Sequence, residues 1–271
     1  MLAGSVREVK MLDINIGDVT AAYEGAVGII WEMLMGEQIH VGGKEETDTL
    51  AEIAGVNPGT RVLDVLCGLG GPARHLARTC GATVVGLDAT GRMVSEAVAR
   101  TADESLGDRV AFRLGNALNM PFKSGTFDIV WGQDSWCYVT DKDRLIRECR
   151  RVAVPGGTIA FTDWIQTGPM SDEELHDLNA FMLFPYMETL DGYENLLRRH
   201  GFAVRECEDL SEDFASQMHR YRDALTGDLK DRIVELFGTE IFLDMERGIG
   251  LWARAADEGK VGRGRFIGRK Q

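Results

Sequence analysis

Two aspartates and a run of glycines carry the most chemistry in this sequence. Residues Arg61–Ala77, RVLDVLCGLGGPARHLA, read as a strand, a glycine-rich turn and the first turns of a helix. Gly68, Gly70 and Ala73 satisfy the G-x-G-x-x-A spacing of turns that let a backbone approach a ligand closely. Asp64 lies in the strand just before the turn, where it would repel a pyrophosphate and suits the cationic end of a ligand. Asp88 ends a second strand 18 residues after Gly70, placed to accept hydrogen bonds from ribose hydroxyls. The pair points to a nucleoside that carries a positive charge. Leu66 breaks the pattern, because such a turn favours glycine at that position. A bulky residue held in the left-handed conformation costs roughly 1–2 kcal/mol.

Beyond the turn, His40 in EQIHVGG is a candidate general base or substrate-side residue, weighed against a structural histidine. Asp134 is a candidate partner for a cationic substrate, weighed against a loop or cap residue. The aromatics Tyr23, Trp31, Trp136, Tyr138 and Trp164 offer faces for a sulfonium or ammonium, each contact supplying about 0.5–2 kcal/mol. Of these, Trp136 and Tyr138 stand just past the end of a strand. Plain packing is the competing reading for every one of them, and Trp131, inside a strand, reads as core.

The elements that must position these residues alternate. RVLDVL, TVVGLD, RVAFRLGN, FDIVWGQD and TIAFTDW read as strands, separated by helical patterns such as TGRMVSEAVARTADESLG and DKDRLIRECRRVAVPGG. Strand and helix alternating at this spacing imply a parallel sheet covered on both faces, with its ligand crevice at the carboxyl ends of the strands. YENLLRRHG reads as a further helix, FAVRECEDL as a sixth strand and GRGRFIGRK as a last one with solvated charges. Residues 1–55 read as an N-terminal helical lid and 56–271 as the main domain, with helical cap insertions at about 165–192 and 210–258.

Composition narrows the function further. A formal net charge of −13 disfavours nucleic acid as a partner. No apolar run reaches the length of a membrane span, and the charged N-terminus lacks the apolar core of a secretion signal. Cys67, Cys80, Cys137, Cys149 and Cys207 show no C-x-x-C spacing, so no metal site is expected and a reducing cytoplasm is the expected location.

At this point the sequence resembles the class I S-adenosylmethionine (SAM) methyltransferases. VLDVLCGLGG is similar to their first motif, GLDAT to their second-strand acid, and GNALNMPFKSGTFDIVWGQD to their third and fourth motifs, over roughly residues 55–165. The segments YEGAVGIIWEMLMGEQIHVGG and WGQDSWCYV resemble those of sarcosine and dimethylglycine N-methyltransferases and of tocopherol-type enzymes. The resemblance implies an α/β, Rossmann-like sheet of seven strands, mostly parallel, with the last strand antiparallel. It implies SAM as cofactor. Gly68 and Gly70 would line its methionine part, Asp88 its ribose, Met93 the adenosine, and Asn116 and Ala117 the adenine, with Gln133 near the methionine tail or the substrate. It also implies that Tyr138 stands where many relatives carry a histidine, which puts a base at that position in doubt.

Methyl transfer from a sulfonium needs positioning more than acid–base machinery, and in-line alignment can supply roughly 7–11 kcal/mol. The expected activity is therefore SAM-dependent methylation of a small molecule, with an amine nitrogen as the leading acceptor. Three alternatives stay open: carbon or oxygen methylation of a quinone-like or natural-product ring, with Met33, Met35, Met182, Phe184 and Met187 lining the pocket; one-carbon transfer involving a folate; and a non-catalytic SAM-binding protein. Leu66 leaves three outcomes: an adjusted turn, a weakened or shifted SAM, or a different ligand.

Overall fold

The computed structural model describes residues 11–271. The first ten residues of the expected lid segment, and the reading of them as lacking a secretion signal, lie outside the described residues. The chain begins with α1 (Ile16–Glu24), started by a capping box in which the Asn15 side chain accepts from the helix and Asp18 reaches back. Next come α2 (Ala26–Met35), a single 3₁₀ turn at Gly36–Gln38, and α3 (Gly43–Ala54). Then β1 (Arg61–Val65), α4 (Gly71–Thr79), β2 (Thr83–Asp88), α5 (Gly91–Asp103), β3 (Val110–Leu114) and β4 (Phe127–Gln133) follow in the alternation read from the sequence. A 3₁₀ turn at Trp136–Tyr138 leads into α6 (Lys142–Val152) and the long β5 (Ala153–Gln166).

The second half adds α7 (Asp172–Met182), β6 (Glu188–Thr189), α8 (Leu190–Arg199), β7 (Phe202–Asp209), α9 (Ser211–Thr226), α10 (Lys230–Phe237), α11 (Thr239–Asp257) and β8 (Val261–Lys270). The SDEELHD run is the start of α7, with Ser171 and Glu174 forming a capping box.

The strands line up in the order β3-β2-β1-β4-β5-β8-β7, and β8 alone runs antiparallel to its neighbours. The sheet has eight strands rather than the expected seven, because the two-residue β6 pairs with Ile165 and Gln166 at the end of β5. The strand order reverses between β1 and β4, so a crevice opens beyond their carboxyl ends. Alternation splits the sheet into two faces: Val62 packs with Leu76 of α4, while Leu63 and Val65 pack with Leu145 and Ile146 of α6. A third core belongs to the helical cap, where Trp31, Met182, Phe214, Met218, Met245 and Trp252 come together. The helix α3 packs on the sheet face through Leu50 and Ala51.

One expectation about the last strand is corrected. GRGRFIGRK is not a solvated strand, since β8 lies between β5 and β7 and buries Arg263 and Arg265. Both guanidiniums pair with Glu46 of α3. Among the described residues, no helix is long and apolar enough to cross a membrane.

Candidate active site

The glycine turn hangs from the end of β2. The amides of Leu66 and Cys67 both donate to the Leu87 carbonyl, at 2.7 and 3.1 Å. That grip requires a reversal of the chain, and Leu66 (φ 61°), Gly68 (φ 51°) and Gly70 (φ 70°) all adopt left-handed backbones to make it. Leu66 thus carries the strain expected of it. Its side chain packs against the β1–α6 core and forms one wall of the cleft. The two glycines differ in role. A Cβ on Gly68 would meet nothing within 4 Å, which leaves its ligand side open, and its amide donates to Asp88 Oδ2 at 2.9 Å. A Cβ on Gly70 would strike the Phe112 ring at 2.4 Å. Gly70 therefore serves close packing of the turn and does not line the cleft, contrary to its expected ligand role.

The cleft itself measures about 260 Å³. Its floor is Asp64, Gly68 and Asp88, its sides include Met93, Asn116, Ala117 and Leu118, and Val19, Thr20 and Tyr23 of α1 lean over it. Asp88 accepts from the amides of Gly68 and Thr90, both at 2.9 Å, though burial still raises its carboxyl above the ordinary range. Asn116 Oδ1 accepts from the Leu118 amide at 2.8 Å. Four buried polar atoms of the lining have no protein partner: Asp64 Oδ2, Gln38 Nε2, Gln133 Nε2 and Ser135 Oγ. Burial, with a smaller push from Asp88, raises the Asp64 carboxyl to about 8. One acceptor and two amide donors left open in one cleft suit a zwitterion, with ammonium on Asp64 and carboxylate on the glutamines.

Beside the cleft lies a second cavity of about 10 Å³, sharing Tyr23, Ile39, Asp134 and Tyr138 with the first. The Tyr23 and Tyr138 hydroxyls hydrogen-bond at 2.6 Å between the two spaces, and burial pushes both phenols far above their ordinary range. Trp31, Met35, Trp164 and Met182 line the rest of it.

Residues 63–161 match the family described as "Methyltransferase domain". That stretch runs from β1 into β5. The chain is 35% identical over 173 residues to methyltransferase GfsG of Streptomyces halstedii, covering 63% of this chain and 62% of that protein. It is 33% identical over 164 residues to the chloroplastic tocopherol O-methyltransferase of Arabidopsis thaliana, covering 57% and 47%. With the glycine/sarcosine/dimethylglycine N-methyltransferase of Actinopolyspora halophila it shares 29% over 252 residues, covering 88% and 44%. The chain thus spans between 44% and 62% of the length of these relatives. In fold it superposes on a putative sarcosine dimethylglycine methyltransferase from Galdieria sulphuraria with a TM-score of 0.84, at 20% identity, covering 92% of this chain and 98% of that one.

Of the expected site residues, Asp64, Gly68, Asp88, Met93, Asn116, Ala117, Gln133, Tyr23 and Tyr138 share the main cleft. Trp31 and Trp164 reach only the second cavity. Three expected roles fall to packing. Trp136 is fully buried, stacks on Phe161 at 4.2 Å and donates Nε1–H to the Val65 carbonyl, so it belongs to the sheet core. His40 donates Nδ1–H to the Val41 carbonyl, which can only accept, and its Nε2 accepts from Thr47 Oγ1 at 3.0 Å. Burial lowers the imidazole to about 4, so His40 stays neutral with both nitrogens occupied and is no free base. Asp134, at φ 52°, accepts from Arg263 Nε and from the Val41 amide, each at 2.8 Å. Both its oxygens are engaged within the protein, which makes it a structural loop residue and not a partner for a cationic substrate.

Gln38, Ile39 and the α1 residues Ile16, Val19 and Thr20 were missed as cleft residues, though Tyr23 of the same helix was named. The signal for Gln38 was at hand, since it stands two residues before His40 in the same quoted segment.

Proposed function

We propose that this protein transfers a methyl group from SAM to the nitrogen of a small-molecule amine. The observation that carries the reading is the set of unpaired polar atoms, Asp64 Oδ2 with Gln38 and Gln133 Nε2, in a cleft that Asp88 also lines. Asp64 and the glutamines would hold the amino-acid end of SAM, Asp88 the ribose, and Met93, Ala117 and Leu118 the adenine. Bound there, SAM supplies an activated methyl group on a sulfonium. The acceptor enters from the side of Tyr23 and Tyr138. Those hydroxyls are shared by one hydrogen bond of two available protons, so one O–H remains to orient the acceptor.

The acceptor atom follows from proton bookkeeping. In the transfer the sulfur–carbon bond breaks, the nitrogen–carbon bond forms, and the new ammonium sheds its proton to water afterwards. An amine attacks in its neutral form, and the fraction that has already given its proton to water reacts without a base in the site. Among the described residues lining the second cavity, His40 is fully occupied, Asp134 is ion-paired and both tyrosines stay protonated. A phenol would need a base there. The likeness to a tocopherol O-methyltransferase supports a phenolic oxygen as the competing acceptor. Incubation with SAM and matched panels of small amines and phenols, read by mass spectrometry, separates the two. Methylated amines are expected; methylated phenols alone would reverse the assignment, and failure to bind S-adenosylhomocysteine at millimolar ligand would end it.

A further inference from the structure

Two opposite charges are buried behind the turn that presents Tyr138, and neither lines the cleft. Lys142 is the first residue of α6 and is 1% exposed; Asp163, in β5, is fully buried. Asp163 Oδ1 accepts from the Cys137 amide at 3.1 Å, and Oδ2 accepts from the Tyr193 hydroxyl of α8. Lys142 Nζ donates to the carbonyls of Val139 and Tyr186, each at 3.1 Å, and sits 3.6 Å from the centre of the Tyr186 ring. Cys137 and Val139 flank Tyr138. The turn is thus gripped through an amide on one side and a carbonyl on the other. Tyr186 belongs to the segment 183–187 between α7 and β6, which sends Phe184 and Met187 into the cap core and sets Phe184 edge-on to Tyr138 at 4.9 Å.

We infer that Lys142 and Asp163 are positioning residues that hold the Tyr138 turn against the cap segment 183–187, so that turn and segment open together. The inference rests on the reading of the cleft as the methyl-transfer site, because the seam matters to function through Tyr138.

A seam needing only stability would be apolar, since buried ions are costly to desolvate and well-packed apolar groups hold as well. Lys142 faces Asp163, Cys137, Tyr186 and Glu188; Asp163 faces Tyr193, Lys142, Asp134 and Cys137. Burial lowers Lys142 to about 8 against the attraction of Asp163, and raises Asp163 to about 6 against the Tyr193 hydrogen bond and Lys142. The stability Lys142 contributes is present above its unfolded value of 10.5 and is lost as pH falls through about 8. That of Asp163 is present below 3.8 and is lost as pH rises through about 6. Between those limits both are charged at a cost to the fold, which fits groups kept for position. Above about 8 the lysine becomes neutral. Opening the seam returns Lys142 to water, where it takes up a proton, so opening becomes less favourable as pH rises above about 8.

Hydrogen exchange on the full chain, corrected for the intrinsic rate at each pH, tests this. Protection of amides 137–141 and 184–188 is expected to rise in concert as pH rises above about 8. Lys142→Met is expected to lose at least about tenfold in protection of both segments at neutral pH, a factor of ten being about 1.4 kcal/mol. Lys142→Arg, which stays charged through this range, is expected to lack that rise. Asp163→Asn keeps an acceptor for the Cys137 amide but removes the attraction on Lys142, and is expected to move the midpoint to lower pH. That variant and the wild-type pH series decide the matter even if Lys142→Met fails to fold. Protection indifferent to pH through this range, or a midpoint unmoved by Asp163→Asn, would overturn the inference. Calorimetry with S-adenosylhomocysteine runs alongside. A lack of binding there strikes the reading of the cleft alone, since the exchange is measured on the free protein.

Discussion

Asp64 is an acid in an unfavourable place, and that makes it measurable. Its folded value, raised to about 8 by burial, means the stability it contributes is present below 3.8 and is lost as pH rises through about 8. In the free protein at neutral pH it is mostly protonated. An ammonium bound beside it would draw out the carboxylate and release a proton. Calorimetry of S-adenosylhomocysteine in two buffers of different ionisation heat is expected to show release of up to about one proton at neutral pH. Asp64→Asn is expected to abolish that release, weaken binding about tenfold or more, and raise the free protein's thermal midpoint more at alkaline than at acid pH. Leu66→Gly tests the neighbouring residue. Its side chain is wall rather than plug, so affinity is expected to stay within about threefold, well under the tenfold that 1.4 kcal/mol represents. A clear tightening would show that Leu66 obstructs the methionine end.

At the scale of elements, the β-alternation and glycine punctuation of residues 61–166 left little freedom, and the strands and helices formed where the pattern put them. What the pattern could not give was partnership across the chain. Asp134 and His40 carry catalytic residue types, yet their roles are fixed by Arg263 of β8 and Thr47 of α3, far away in sequence. Trp136 follows a strand, but the 3₁₀ turn swings it back onto Phe161. Gly70 fits a spacing rule, and only the Phe112 ring reveals why. The Glu46–Arg263–Asp134 chain joins α3, β8 and the end of β4, with Arg263 and Asp134 almost wholly buried. Arg263→Met leaves the buried Asp134 carboxylate without its cation, while Glu46 keeps Arg265, and is expected to lower stability by about 3 kcal/mol. The double variant with Asp134→Asn is expected to recover part of that loss in thermal or denaturant unfolding.

For the whole molecule, the weakest cover over the cleft is α1. None of its residues is fully buried, and it reaches the body of the protein through Tyr23, whose hydroxyl meets Tyr138 and whose carbonyl accepts from Arg92 Nε at 2.9 Å. Yet Ile16, Val19, Thr20 and Tyr23 form one wall of the cleft. If the cleft takes the proposed nucleoside, α1 is expected to close on it and to gain contacts with it. Binding then stabilises the closed form by mass action, about 2.7 kcal/mol at a hundredfold excess over Kd. Exchange of amides 16–24 is accordingly expected to slow by up to about a hundredfold with saturating S-adenosylhomocysteine, while the strands of the sheet change little. Tyr23→Phe removes one hydrogen bond, worth about 1 kcal/mol. It is expected to speed exchange of α1 about fivefold in the free protein and to raise the S-adenosylhomocysteine dissociation rate by a similar factor. Protection of α1 that ligand leaves unchanged would mean that the cleft fills by another route and that this helix is fixed wall.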